Sequence, residues 1–305
     1  MKLLLTGAYP YTEDQTARLQ ALGFDTVFVQ DERVPVTIDV SEFEAVVCNC
    51  LFLNNDITAF KKLKYIQLTS AGLDRVPLDY IKEHGIRVYN AAGVYSIPIA
   101  EWTVLKILEI YKKSKAFFTA QQEKKWSKQR GLFELTGKKA AILGFGSVGM
   151  EIAKRLKPFD VDVTAVETRM LCDTERCLAD CVCLPCDADK ALSESDIVII
   201  ALPLTGETEK FINADRIELM KDDSVLINIS RGAVIDEDAL AQALAKGKFL
   251  GASLDVFTQE PLPADNPLWG FDQTLITPHN SFVSDKTNDR LFELIENNLS
   301  TIASG

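Results

Sequence analysis

Hydrophobic and polar positions along this chain fall into two successive series, each alternating short apolar runs with helical stretches. Across residues 1–95 the runs are KLLLTG, DTVFVQ, EAVVCN, YIQLTS and RVYN, separated by segments such as TEDQTARLQALG and ITAFKKLK. Short apolar runs bounded by turn residues predict strands, and intervening helices predict that the strands lie parallel. A long helical pattern then begins near Ser96 and Pro98, carries Glu101 in its first turn and continues through WTVLKILEIYKKSKAFF. It has no internal breaker, which predicts one connecting helix. From Lys138 a second series follows: AAILGF, VTAVE, DIVIIALP, SVLINIS, LGASLDVF and TLITPH. The stretches MEIAKRLKPF and DEDALAQALAKG between these runs repeat apolar residues at helical spacing, and the final DKTNDRLFELIENNLSTIAS is one amphipathic helix.

The pattern predicts an α/β fold of two doubly wound parallel-sheet domains, residues 1–95 completed by 284–305, and residues 96–283. A chain of 305 residues, 47% hydrophobic and 25% charged, has room for two cores. Composition adds mainly exclusions. Lys and Arg number 33 against 44 Asp and Glu, a net charge of -11 with no basic run, which argues against nucleic acid as a partner. The N-terminal MKLLLTGAYP has too short an apolar core for a signal peptide, and no later stretch resembles a membrane span, so a soluble cytoplasmic protein is expected.

Seven cysteines fit reduced thiols better than a disulfide framework. Five lie close together: Cys172, Cys177, Cys181, Cys183 and Cys186. Thiolates at short spacing suit zinc, but free cysteine also packs as a small hydrophobe, and Cys181-Val182-Cys183-Leu184 reads as an apolar segment ahead of a helix. No metal is expected.

Gly144-Phe145-Gly146-Ser147-Val148-Gly149 follows the run AAILGF and opens the helical MEIAKRLKPF. In that setting the first glycine allows a tight turn, the second lets backbone approach a pyrophosphate, and the third lets helix and strand close together. The phosphates would meet the N–H groups and positive dipole of the helix N-terminus. Glu167 ends the next strand, at the distance where a carboxylate meets the ribose hydroxyls of NAD and repels the additional phosphate of NADP. NAD is therefore favoured. Arg169 leaves NADP possible, since a guanidinium could meet that phosphate.

Three later segments each carry one chemically capable residue: INISRGAVID with Arg231, DVFTQEPLP with Glu260, and TPHNS with His279. The chain has only two histidines, and His84, at a helix end before a strand, reads as a C-terminal cap. His279 lies just beyond a strand, where ligands gather in open α/β sheets. An anion binder, an acid/base and an orienting carboxylate are what reduction of a carbonyl beside a carboxylate requires.

These motifs resemble the D-2-hydroxyacid dehydrogenase family, which includes glycerate, formate, phosphoglycerate and D-lactate dehydrogenases and hydroxypyruvate reductases. The likeness runs from SAGLD (Ser70 to Asp74) through NAAGVYSIPIAEW, GFGSVG, ALPLTGETEKFIN, INISRGAVIDEDAL and LDVFTQEPLP to ITPH. It implies a flavodoxin-like substrate domain and a Rossmann dinucleotide-binding domain, with hydride moving between NAD and a small 2-keto or 2-hydroxy acid. Arg231 would bind the substrate carboxylate and carbonyl. His279 would exchange the proton, and Glu260 would orient its ring and favour its charged form. N–H groups of Ala71 and Gly72 would clamp the carboxylate, Asp255 would receive the nicotinamide amide, and Pro203 and Thr208 would line the cofactor cleft. Cys50, Leu51 and Tyr95 are expected along the wall facing the substrate side chain, and nothing there supplies an obvious cation for a phosphate. That points to an uncharged side chain, as in glyoxylate, hydroxypyruvate or pyruvate.

The likeness further implies a homodimer formed through the long helix and QQEKKWSKQRGLFEL, and, with the sequence ending at Gly305, no regulatory extension. It has departures: Asn280-Ser281-Phe282 replaces the small residue and glycine that commonly follow the histidine, and Ser70-Ala71-Gly72 replaces a valine-containing version. It also extends to the carboxy-terminal-binding corepressors, so the alternative is a dinucleotide-responsive binding module with vestigial activity.

Overall fold

The computed structural model describes residues 1–304. Its chain divides into two compact units, one of Met1–Tyr95 with the residues from Ser284 onward, the other Ser96–Val283. The first unit runs β1 (Lys2–Thr6), α1 (Glu13–Ala21), β2 (Asp25–Val29), β3 (Ala45–Cys48), α2 (Leu51–Asn54), β4 (Tyr65–Leu68), α3 (Leu78–Glu83) and β5 (Arg87–Tyr89), and the chain's last helix α11 (Thr287–Ser304) completes it. All five strands are parallel in the order β2-β1-β3-β4-β5, the flavodoxin-like arrangement, whose direction of winding switches between β1 and β3.

Period-two alternation explains how this sheet is covered on both faces. Leu3 and Leu5 of β1 pack with Leu291, Phe292, Ile295 and Leu299 of α11, while Leu4 faces Val46, Leu51, Ile66 and Ile81 on the other side. Thr12 starts α1 with a reciprocal cap, its hydroxyl accepting the Gln15 N–H at 3.2 Å while Gln15 Oε1 accepts the Thr12 N–H at 3.0 Å. His84 ends α3, with Nδ1 2.9 Å from the Tyr80 carbonyl and its ring stacked on Tyr80.

The second unit runs α4 (Ser96–Tyr111), α5 (Ser114–Gln122), β6 (Lys139–Leu143), α6 (Ser147–Leu156), β7 (Asp162–Val166), α7 (Asp173–Arg176), β8 (Cys181–Cys183), α8 (Ala188–Glu194), β9 (Ile197–Ile200), α9 (Ala214–Leu219), β10 (Ser224–Asn228), α10 (Glu237–Ala245), β11 (Phe249–Leu254) and β12 (Thr274–Ile276). Seven parallel strands lie in the order β12-β11-β10-β9-β6-β7-β8, a Rossmann sheet with one further strand, switching direction between β6 and β9. The innermost strands β6, β9 and β10 are buried on both faces, and accordingly their sequences are nearly continuous apolar runs.

Two expectations from the pattern change here. The single long helix is two, broken at Lys113, whose φ of 52° is left-handed. Tertiary contacts override the helical pattern: Tyr111 is buried against Phe133, and the Lys112 and Lys113 ammonium groups donate to the carbonyls of Phe133 and Arg130. The segment Cys181–Cys183 is not merely an approach to a helix but the edge strand β8, pairing with β7 through Ala165 and Val182.

Candidate active site

The loop after β6 lies at the switch point of the second sheet. Gly144 has a φ of +90°, and a Cβ on Gly149 would stand 2.3 Å from the Gly144 carbonyl oxygen, so turn and helix close directly on one another. At Gly146 an added Cβ would meet nothing within 4 Å. That bare, open stretch of backbone, followed by Ser147 and Val148 in the first turn of α6 with no side-chain cap, fits the pyrophosphate of a dinucleotide. Glu167 lies just past β7. Its Oε2 accepts the Phe145 N–H at 2.9 Å, and its Oε1 accepts the Thr168 N–H at 2.8 Å, which fixes the carboxylate beside the glycine loop. Pro203 and Thr208 occupy the exposed loop after β9, where the Thr208 hydroxyl donates to the Pro203 carbonyl at 2.6 Å.

Arg231, Glu260 and His279 follow β10, β11 and β12, three neighbouring strands, at the C-terminal edge of the same sheet. Glu260 bridges two elements: Oε1 accepts the Phe257 N–H at 3.0 Å and Oε2 lies 2.9 Å from His279 Nδ1. Because the partner is an acceptor, Nδ1 carries the hydrogen and Nε2 is left to take or give a proton. Phe282 meets the imidazole edge-on at 6.0 Å. Arg231 Nη1 donates to the Ser230 carbonyl at 2.8 Å. Its loop is shaped by Asn228, whose amide donates to the Arg231 carbonyl at 3.0 Å and whose Oδ1 accepts from both the N–H and the hydroxyl of Ser230 at 3.1 Å.

Asp255, only 1% exposed, organises the histidine turn. Its Oδ1 accepts the Thr277 hydroxyl at 2.5 Å and the Asn280 N–H at 2.9 Å, its Oδ2 accepts the Ser281 N–H at 3.0 Å, and its carbonyl accepts the His279 N–H at 2.7 Å. The turn thus uses the main chain of Asn280 and Ser281, so it tolerates the unusual side chains after His279. Pattern reasoning about single segments could not find the Asn228 and Asp255 brackets, although both residues end or follow buried strands, where a polar side chain must have partners.

In the first unit, Ala71 and Gly72 lie in the loop after β4. Asn90 donates to the Ala71 carbonyl at 2.7 Å, the Ser70 carbonyl accepts the Ala91 N–H at 2.9 Å, and the Tyr95 hydroxyl donates to the Thr69 carbonyl. Burial pushes the Tyr95 phenol up to about 12. Leu51 is fully buried in the core, so it is a packing residue and not part of a substrate wall. Cys50 is half-buried. Its N–H and thiol both donate to Oε1 of Glu32, at 2.6 and 3.1 Å, and burial together with that carboxylate pushes the thiol up to about 11. Glu32, itself 5% exposed, also accepts the Thr6 hydroxyl at 2.6 Å and the Asn49 N–H at 3.1 Å, at the switch point of this sheet. Arg75 and Arg33 act on Cys50 in the opposite electrostatic sense, so this wall is not without cations.

Among the described residues, no group of three or more His, Cys, Asp or Glu is arranged to hold a metal ion, and no helix is long and apolar enough to cross a membrane.

A glycine loop at a Rossmann switch point and a histidine-carboxylate pair at the same sheet edge define a dinucleotide-dependent oxidoreductase. Residues 104–281 match the family model described as D-isomer specific 2-hydroxyacid dehydrogenase, NAD binding domain. The chain is 37% identical to a glyoxylate reductase of Thermofilum pendens over 81% of this chain and 74% of that protein. It is 33% identical to a D-3-phosphoglycerate dehydrogenase of Archaeoglobus fulgidus, over 92% of this chain but 53% of the other. Among solved structures it is similar to D-lactate dehydrogenase from Aquifex aeolicus complexed with NAD and lactic acid, with a TM-score of 0.82, 25% identity, and 99% and 96% of the two chains covered. The chain belongs to the D-isomer specific 2-hydroxyacid dehydrogenase family, and is an NAD-dependent enzyme of that class.

Proposed function

We propose that this enzyme interconverts a small 2-keto acid and its D-2-hydroxy acid, with His279 as acid/base, Glu260 as its orienting carboxylate and Arg231 as the binder of substrate carboxylate and carbonyl. The observation that carries this reading is the 2.9 Å contact of His279 Nδ1 with Glu260, at strand ends adjoining that of Arg231. NAD, bound along Gly144–Gly149 with its ribose at Glu167, supplies or accepts the hydride. In the reductive direction His279 Nε2 gives its proton to the carbonyl oxygen, and Glu260, bonded to Nδ1, holds the ring with Nε2 presented for that transfer. Arg231 offers a permanently charged planar fork to the carboxylate and neutralises charge on the oxygen as it develops. In the first unit taken by itself, the loop of Ala71 and Gly72, whose N–H groups the family resemblance assigns to a carboxylate, is braced by Asn90. The resemblance assigns Asp255 to the nicotinamide amide, but the residue is 1% exposed and its carboxylate is engaged by Thr277, Asn280 and Ser281, so its part here is to hold the histidine turn; Pro203 and Thr208 line the cofactor path.

Relatives named glyoxylate reductase and hydroxypyruvate reductase favour a substrate with a short, uncharged side chain. The buried negative charge of Glu32 behind Cys50 agrees with that choice, whereas Arg75 pulls toward an acidic side chain. NADH oxidation across glyoxylate, hydroxypyruvate, pyruvate and a phosphorylated 2-keto acid is the test. Activity with the first three supports the reading; activity confined to the phosphorylated acid would sink it.

A homodimer built through α5 and the segment after it is part of the same proposal. Phe118 and Trp126 there are 60% and 98% exposed, large apolar side chains that a second copy would cover. Sedimentation of the wild type and of Trp126→Glu tests it, with the variant shifting to monomer. Four exposed free thiols, Cys172, Cys177, Cys181 and Cys186, suit a reducing cytoplasm.

A further inference from the structure

Two residues beyond Glu167, the guanidinium of Arg169 is closed into a fork. Its Nη1 donates to Glu175 Oε2 at 2.7 Å, and its Nη2 donates to Glu175 Oε1 at 2.9 Å and to the Phe145 carbonyl, within the glycine loop, at 3.2 Å. Glu175 is held from the other side as well. It accepts the Cys172 N–H at 3.0 Å as the reciprocating member of the capping box that starts α7. Arg169 and that amide hold its carboxyl down at about 2, so it stays charged across any working pH. Nothing in the Glu167 reading requires this second carboxylate. A Glu167 carboxylate alone explains recognition of ribose hydroxyls, yet the neighbouring arginine would offset part of its repulsion toward a 2′-phosphate if it were free to turn.

We propose that Glu175 is a positioning residue for cofactor selectivity, tying up the Arg169 guanidinium against itself and the Phe145 carbonyl and so denying a 2′-phosphate its counter-ion. NAD is then selected in two ways: Glu167 repels the phosphate, and the fork withholds the cation that would accept it. The pair is partly exposed, at 44% and 21% of its side-chain surfaces, so the fork is held by geometry and its two-sided bracket more than by burial. This inference rests on the cofactor lying along Gly144–Gly149 with its ribose at Glu167.

The test is calorimetric binding of NADH and NADPH to the wild type, Glu175→Gln, Arg169→Ala and the double variant. Glutamine keeps an acceptor for the Cys172 N–H but gives up the charge that holds the fork. NADPH should bind about fivefold more tightly to Glu175→Gln, with NADH changed by less than about twofold, and the gain should vanish in the double variant. Unchanged or weaker NADPH binding, equal weakening of both cofactors, or the same gain without Arg169 would each overturn the proposal. Should Glu175→Gln not fold, Glu175→Asp, too short to close the fork while keeping its charge, is read by the same comparison. A wild type that binds neither cofactor would overturn the underlying placement of NAD, and this inference with it.

Discussion

The main-chain carbonyl of Asp255 accepts the His279 N–H at 2.7 Å while its carboxylate gathers the residues on either side, Thr277, Asn280 and Ser281. His279 sits at a φ of 50°, a left-handed conformation that costs a non-glycine residue on the order of 1 kcal/mol and persists only when its surroundings hold it. The buried aspartate holds it. Replacing Asp255 with Asn leaves an acceptor for two donors and turns an amide N–H toward the Ser281 N–H. We expect kcat to fall by about 10-fold or more, with far-UV circular dichroism unchanged. A variant with normal kcat would show that the turn does not need the carboxylate.

His279→Ala should depress turnover by ~100-fold or more while the dissociation constant of NADH stays within about twofold of the wild type. Single-turnover kinetics beside fluorescence titration separate the two effects. Near-normal turnover would remove His279 from the mechanism.

Glu260→Gln keeps the side-chain shape but loses the charge facing Nδ1, and its amide can present a donor where the imidazole already has one. Turnover should drop by about 10-fold or more while the dissociation constant of NADH stays within about twofold of the wild type, because the ring loses the acceptor that holds Nδ1 at 2.9 Å. Wild-type turnover in Glu260→Gln would contradict the orienting role.

Gly232 follows Arg231, and a Cβ there would lie 1.9 Å from the Phe257 carbonyl carbon. Gly232→Ala must therefore push the Arg231 loop away from Phe257, whose N–H holds Glu260. The expected cost is about 2 kcal/mol or more, read as a lower Tm, together with lost activity.

Cys50 supplies a pH test. Its thiol is raised from 9.0 to about 11, so the native state binds a proton that the unfolded chain has already released. The associated stability is complete below the ordinary thiol value and disappears as pH climbs toward 11. Cys50→Ser should flatten the fall in stability across that window. Alkylation of Cys50 should be slow near neutrality and quicken as pH rises, trailing the exposed thiols of Cys172 and Cys181 throughout. Equal rates would contradict the Glu32 contact.

Strand positions, the glycine loop and the order of the chemical residues were legible in the sequence because each rests on local pattern: two-faced burial writes continuous apolar runs, and a phosphate loop needs glycines at fixed spacing. What escaped depends on distant partners. Glu32 stands between Asp31 and Arg33 in a charged run with no period to single it out, yet it turns inward to meet Asn49 and Cys50, 17 and 18 residues away. The break at Lys113 follows from contacts with residues 130 and 133, which no helical periodicity encodes. Strand β8 is three residues long with its first residue exposed, too short and too polar in setting to show a period. Leu51 and Cys50 are neighbours in sequence, but only the packing of α2 tells which one reaches the surface.

The helix α11 fills the core of the first unit through Leu291, Phe292, Ile295, Leu299 and Ile302. A ribosome makes those residues only after the whole of Ser96–Val283. During synthesis the second unit can therefore finish folding while the first, begun earlier, still lacks the helix that covers one face of its sheet.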